Sequence, residues 1–158
     1  MAITYDALGT YNLNGLSSVT FSSISSAYTD LVIHYSGVAN TGTANGVGVR
    51  LNGDTGNNYG VGFFESYAGS TQGKNETKNF ALSGYMGNTK SSAGTININN
   101  YRGNFYKQLQ CLGIDANNAV NSVVSWPNTA AITSVTFFML TNSFASPSVV
   151  SLYGIARA

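Results

Sequence analysis

Apolar residues recur at every second position along most of the chain. Val47, Val49 and Leu51, for example, alternate with Gly48 and Arg50. A period of two places one set of side chains in a core and the other toward solvent, whereas an amphipathic helix repeats every 3.6 residues. The alternating segments are rich in β-branched and aromatic residues, which strands favour. The predicted strands are Ser17–Ser23, Asp30–Val38, Gly46–Asn52, Tyr59–Ser66, Lys78–Met86, Gly94–Tyr101, Phe105–Asp115, Ala119–Trp126, Ile132–Asn142 and Val149–Arg157.

Turn-forming residues separate these segments. Gly and Asn, which tolerate the positive φ of tight hairpins, occupy Asn40–Gly42, Asn52–Asp54, Gly56–Asn58 and Asn117–Asn118. About ten short strands at near-regular spacing are typical of a sandwich. We therefore predict an all-β fold, an antiparallel β-sandwich of jelly-roll type.

The strand pattern also suggests how the chain is organised. Residues 17–158 are expected to form a single β-sandwich domain. Residues 1–16 are less regular and are expected to be an N-terminal arm or first edge segment, packed elsewhere or disordered. The polar stretches Gly69–Thr77 and Gly87–Ser92 are predicted to be exposed loops.

Charged residues are rare in this chain, which limits the classes of partner that it can bind. Charged residues make up 8% of the sequence and the net charge is +1, with no cluster of cations. Binding to a phosphate backbone depends on such clusters, so we expect no nucleic-acid partner. The apolar runs are too short to cross a bilayer and the N-terminus lacks a secretory signal, so we expect no membrane partner and synthesis in a cytoplasm.

Residues with catalytic or metal-binding chemistry are few. His34 and Cys111 are the only histidine and cysteine; we expect His34 on a polar or half-buried strand face and Cys111 buried and inert. One of each is too few for a zinc site. The loop Asn52–Asn58 resembles a calcium loop in outline but has a single carboxylate, which favours a structural turn. We therefore predict no enzymatic activity, no cofactor and no metal.

The tyrosines are the remaining candidates for a site. The ten tyrosines include four near predicted strand ends, where exposed rings could contact sugars or, as we favour here, anchor a protein interface. These candidate interaction residues are Tyr67, Tyr85, Tyr101 and Tyr106.

Three segments carry a resemblance to a known group of proteins. They are Arg50–Tyr59 (RLNGDTGNNY), the stretch from Trp126 to Ile155, and the preceding strand Tyr28–Ile33. In this order they resemble a loosely defined group of tailed-phage virion proteins, common in cyanobacterial and marine phages. The resemblance covers most of the chain and rests on turns and strands. It implies a jelly-roll structural protein of a capsid or tail.

Three functions remain open at this point. The one we favour is a capsid decoration (cement) protein of the virion, a homotrimer that binds the major capsid protein and clamps neighbouring capsomers. The alternative is a tail or fibre-associated protein that binds a host surface glycan. The third is a glycan-cleaving enzyme, which needs two carboxylates in one cleft. The candidates for such a pair are Asp6, Asp30, Asp54, Glu65, Glu76 and Asp115.

Overall fold

The computed structural model describes residues 4–42, 44–67, 69–115 and 117–156, without the side chain of Tyr67. Strands are the only regular elements in these ranges, and they are β1 (Thr4–Asn12), β2 (Ser18–Phe21), β3 (Asp30–Ala39), β4 (Asn45–Leu51), β5 (Tyr59–Tyr67), β6 (Ser70–Lys78), β7 (Ala81–Met86), β8 (Ser92–Asn99), β9 (Lys107–Ile114), β10 (Asn118–Trp126), β11 (Val135–Met139) and β12 (Phe144–Ala156). This part of the chain contains no helix of the length and apolarity needed to cross a membrane.

The strands form two sheets that pack face to face. The larger sheet has the order β1-β12-β3-β8-β9-β10-β5-β6, and the smaller has the order β2-β11-β4-β7. Every neighbouring pair is antiparallel. The predicted all-β antiparallel sandwich is confirmed, and its jelly-roll connectivity stays a prediction.

Period-two alternation explains how each strand faces the core. On β10, Val120, Val124 and Trp126 are buried while Asn121 and Val123 are exposed. The inward residues of both sheets form one apolar cluster. Transfer of this apolar surface out of water is the main force holding the two sheets together.

Gly94 leaves room on the larger sheet for the ring of Tyr35, which reaches across to the smaller sheet. A Cβ atom at this glycine would overlap the hydroxyl of Tyr35 and would lie 2.6 Å from the carbonyl oxygen of Leu112. The Tyr35 hydroxyl in turn donates to the carbonyl of Ser83 on the smaller sheet, 3.3 Å away. A larger residue than glycine therefore does not fit at this position.

Each of the ten predicted strands corresponds to a strand of the structure, but two strands were not predicted. The prediction of a loop at Gly69–Thr77 is wrong, because Ser70–Lys78 forms β6 and pairs with β5 along its whole length. β6 is a sheet edge exposed almost throughout, so it has no apolar alternation to reveal it. At the opposite edge, Thr4–Asn12 forms β1 and pairs with β12. Gly87 to Ser91 lie between β7 and β8, as predicted, and Ser92 begins β8.

Candidate interaction surfaces

The four edge strands of the two sheets differ in how they are protected. An exposed edge presents unpaired backbone groups to other chains, and proteins usually shorten, charge or cover it. β2 is only four residues long, and β7 is buried along almost its whole length. β6 carries Lys74, Glu76 and Lys78. Each of these three edges therefore has one of the usual protections.

β1 is neither short, covered nor highly charged, although its register with β12 shifts between Ala7 and Gly9. It is nine residues long and mostly exposed, and Asp6 is its single charged residue. It pairs with β12 on one side and has no strand on the other within the described ranges. β1 is therefore the edge best suited to accept a strand from another chain.

Two exposed tyrosines lie near the ends of β1. Tyr5 is 56% exposed and Tyr11 is 41% exposed. Tyr5 packs edge-on against Tyr153, with ring centroids 6.3 Å apart, and Tyr11 packs edge-on against Phe21 at 5.1 Å. These contacts hold the two rings in place, so the tyrosine side chains would lose little conformational entropy when a partner binds to them.

The outer face of the larger sheet is nearly free of charge. By strand register, residues from all eight strands line up across it, and one complete row is Thr10, Ser151, His34, Thr95, Leu112, Asn121, Phe64 and Gly73. None of these residues is Asp, Glu, Lys or Arg. His34 is exposed, and its Nδ1 lies 3.0 Å from the Thr95 hydroxyl.

An open groove of about 810 Å³ crosses this face over β10 and β5. Its outward-facing lining consists of amide and hydroxyl side chains around two glycines and one valine, namely Gly60, Gly62, Asn75, Thr77, Asn99, Gln108, Gln110, Val123 and Ser125. We call this feature the amide groove. The only acidic residue on its lining is Glu76.

The loop that resembles a calcium site forms a hydrogen-bonded turn around Asp54. Asp54 accepts hydrogen bonds from the Gly56 amide at 2.8 Å and from the Asn58 side chain at 3.0 and 3.1 Å. Its Oδ2 also accepts one from the indole N–H of Trp126 at 2.7 Å. These hydrogen bonds, that of Trp126 first, lower the pKa of Asp54. Protein donors thus occupy both carboxylate oxygens.

The six acidic residues lie on different strands or turns and have different partners. Asp30 accepts from the backbone amide of Asn100 at 2.7 Å, and Glu76 pairs with Lys78. In the described part of the chain, no three His, Cys, Asp or Glu side chains gather closely enough to hold a metal ion. Cys111 is buried, as predicted, and burial raises the pKa of its thiol to about 12.

The four candidate tyrosines differ in how exposed they are in the structure. Tyr106 is 62% exposed, but Tyr101 is only 1% exposed and donates to the carbonyl of Ser25. Tyr101 is therefore not an exposed ring, because it packs in the apolar core and its hydroxyl reaches the connection between β2 and β3. Tyr85 is half-buried and donates to Glu65 at 2.9 Å. The side chain of Tyr67 lies outside the described residues.

Neither the β1 edge nor the amide groove was among the candidate sites predicted from the sequence. Tyr5 and Tyr11 belong to a segment without regular alternation. The groove depends on register, which brings Gln108, Ser125 and Gly60 side by side from three strands. The alternating glycines of Tyr59-Gly-Val-Gly-Phe63 were the one available signal, since glycine in a strand often marks a close approach.

Comparison with known proteins gives no family assignment: the chain matches no protein-family model and no curated protein.

Proposed function

We propose that this protein is a structural protein of a phage virion, a capsid decoration protein that binds the major capsid protein and stabilises its lattice. The observation that carries the proposal is the β1 edge, which is long, exposed and nearly uncharged while the other three edges are protected. The resemblance of Arg50–Tyr59 and Trp126–Ile155 to tailed-phage virion proteins supports the same function.

The β1 edge offers a simple mode of attachment. An extended segment of the capsid protein adds to β1 as a further strand, and main-chain hydrogen bonds provide the affinity. Tyr5 and Tyr11 then flank the added strand and contribute apolar contact. Symmetry of the lattice multiplies a modest contact, so each single interface can be weak. A homotrimer with jelly-roll connectivity is part of this proposal, because it would hold three neighbouring capsomers at once.

The proposal is tested with capsids assembled without this protein. We expect added wild-type protein to bind them and to raise the temperature at which they release DNA. The double variant Tyr5→Lys, Tyr11→Lys places charges along β1 and should lose binding. Thr71→Lys places a charge on the exposed β6 edge and serves as the matched control. Failure of the wild type to bind, or undiminished binding of the double variant, contradicts the proposal.

A further inference from the structure

The floor of the amide groove contains one glycine, Gly60, that the fold itself does not require. A Cβ atom added at Gly60 would have only one neighbour within 4 Å, the carbonyl oxygen of Ser125 at 3.9 Å. The backbone of Gly60 is not left-handed, unlike that of Gly53 with φ of 69°. Neither packing nor conformation therefore calls for glycine at this position. A side chain there would instead occupy the groove.

The walls of the groove offer paired donors and acceptors without charge. Gln108 and Gln110 line one side on β9, and Asn75 and Thr77 line the other on β6. Each amide side chain has two N–H donors and a carbonyl acceptor. Three strand spacings of about 4.8 Å place the two walls roughly 14 Å apart. The groove can thus bond both edges of a flat neutral molecule lying between them.

The single acidic residue of the lining does not change this neutral character. Glu76 is paired in register with Val61, whose side chain is buried in the core. Opposite residues of an antiparallel pair point to the same side of the sheet, so the Glu76 side chain leaves the outer face. On the other side of the sheet, the Glu76 carboxylate pairs with Lys78. Glu76 therefore lines the groove with its backbone.

We propose that the amide groove binds a neutral oligosaccharide. Sugar hydroxyls both donate and accept hydrogen bonds, which matches amide and hydroxyl side chains on both walls. Val123, 61% exposed on the floor, provides an apolar surface for the C–H face of a sugar ring. Phosphate or uronate chains need cations, and the groove lining contains no Lys or Arg. A peptide that binds by strand addition needs a free sheet edge, which a sheet face lacks.

The groove is separate from the proposed capsid contact. β1 and β10 are five positions apart in the sheet, which corresponds to about 24 Å. A capsid strand on β1 would leave the groove open. The inference therefore goes beyond the proposed function and does not depend on whether the subunit lies on a capsid or a tail.

The test uses the isolated protein and defined sugars. Maltohexaose, cellohexaose, laminarihexaose and mannohexaose are titrated by calorimetry, with an alginate hexasaccharide as the charged comparison. We expect at least one neutral hexaose to bind and to shift the NMR amide resonances of Gly60, Gly62 and Gln110. The alginate hexasaccharide should not bind.

Variants of the same outer face locate the binding. Gly60→Val fills the floor and should weaken binding by at least about tenfold. Ala119→Val adds the same side chain on β10 outside the groove lining and should leave the affinity unchanged. Gln110→Leu removes an amide of one wall and should also weaken binding, which keeps the test valid if Gly60→Val folds poorly.

Three results would overturn the inference. They are absence of binding to all four neutral hexaoses, equal affinity of the Gly60→Val and Gln110→Leu proteins with the wild type, and equal binding of the alginate hexasaccharide. None of these results bears on capsid attachment through β1, because no capsid is present in the assay.

Discussion

The bond between Asp54 and Trp126 gives a sharp prediction about the stability of the sandwich. The two residues are 72 positions apart, and the indole N–H of Trp126 donates to Asp54 Oδ2 at 2.7 Å. Trp126 is 1% exposed and its ring is stacked with that of Tyr59. The bond therefore anchors the β4–β5 turn to the core. We expect the variant Asp54→Asn to be measurably less stable than the wild type.

The expected loss of unfolding free energy follows from the number of hydrogen-bond donors to Asp54. Asp54 accepts a hydrogen bond from Gly56 on Oδ1, one from Trp126 on Oδ2, and one from Asn58 on each oxygen. An asparagine has a single carbonyl oxygen, so whichever way its amide is turned, at least one donor lacks an acceptor. If the NH2 group of the asparagine faces Trp126, the indole N–H is unsatisfied at a cost of about 1–3 kcal/mol, and if it faces the exposed Gly56 amide the cost is smaller. A loss of about 2 kcal/mol corresponds to a fall in Tm of roughly 4–8 °C for a domain of this length.

Asp115→Asn provides a matched control. Asp115 also caps a turn, accepting from the backbone amides of Asn117 and Asn118 and from the Asn118 side chain. None of these donors is an indole of the core. We therefore expect a smaller loss of stability, under about 1 kcal/mol, because only groups of the turn itself would lack an acceptor.

Urea unfolding followed by fluorescence measures both variants, since Trp126 is the only tryptophan. Equal losses for Asp54→Asn and Asp115→Asn, or a loss below about 0.5 kcal/mol for Asp54→Asn, would contradict a stabilising role of the Trp126–Asp54 hydrogen bond.

The same bond predicts a dependence on pH. The pKa of Asp54 is lowered in the folded state, chiefly by the hydrogen bond from Trp126. A lowered pKa means that the stabilisation is present above the unfolded value, near 3.9, and is lost as the pH falls through the folded value. Wild-type stability should therefore fall below about pH 4, and Asp54→Asn should show less of this fall. Parallel pH profiles for the two proteins would contradict this assignment.

Three further predictions concern the core and one loop. Cys111, with its pKa raised to about 12 by burial, should resist iodoacetamide at pH 8 and react only in denaturant; reaction of the folded protein would contradict its burial. Gly94→Ala should cost about 1–3 kcal/mol in urea unfolding because its Cβ overlaps a core tyrosine hydroxyl, whereas Gly60→Ala should be neutral or stabilising; equal effects would contradict the packing. Lys107 donates to three backbone carbonyls at 2.6–3.2 Å, so Lys107→Met should lose about 2 kcal/mol and the exposed Lys90→Met almost nothing; similar losses would count against that role.

The sequence was informative wherever a strand has one face in the core. β9 and β10 alternate buried and exposed residues without a break, and period two revealed both of them. β6 could not be found in this way, because its residues are exposed on both faces of an edge. Its strand conformation comes from pairing with β5, which is information from another part of the chain.

The candidate surfaces depend on contacts between distant residues, and a single sequence does not contain these directly. Tyr101 and Tyr106 both lie near strand ends in the sequence, yet one is buried and the other exposed. The difference arises because Tyr101 reaches the carbonyl of Ser25, 76 residues away. The amide groove likewise requires the register of five strands, from β8 to β6, before its lining can be recognised.

Electron cryo-microscopy of the virion tests the central claim most directly. If the proposed function is right, we expect copies of this sandwich on the capsid lattice, with β1 paired to an added strand of the major capsid protein and the amide groove facing solvent. A capsid without this sandwich, or a bound sandwich whose β1 edge faces solvent, would contradict the claim.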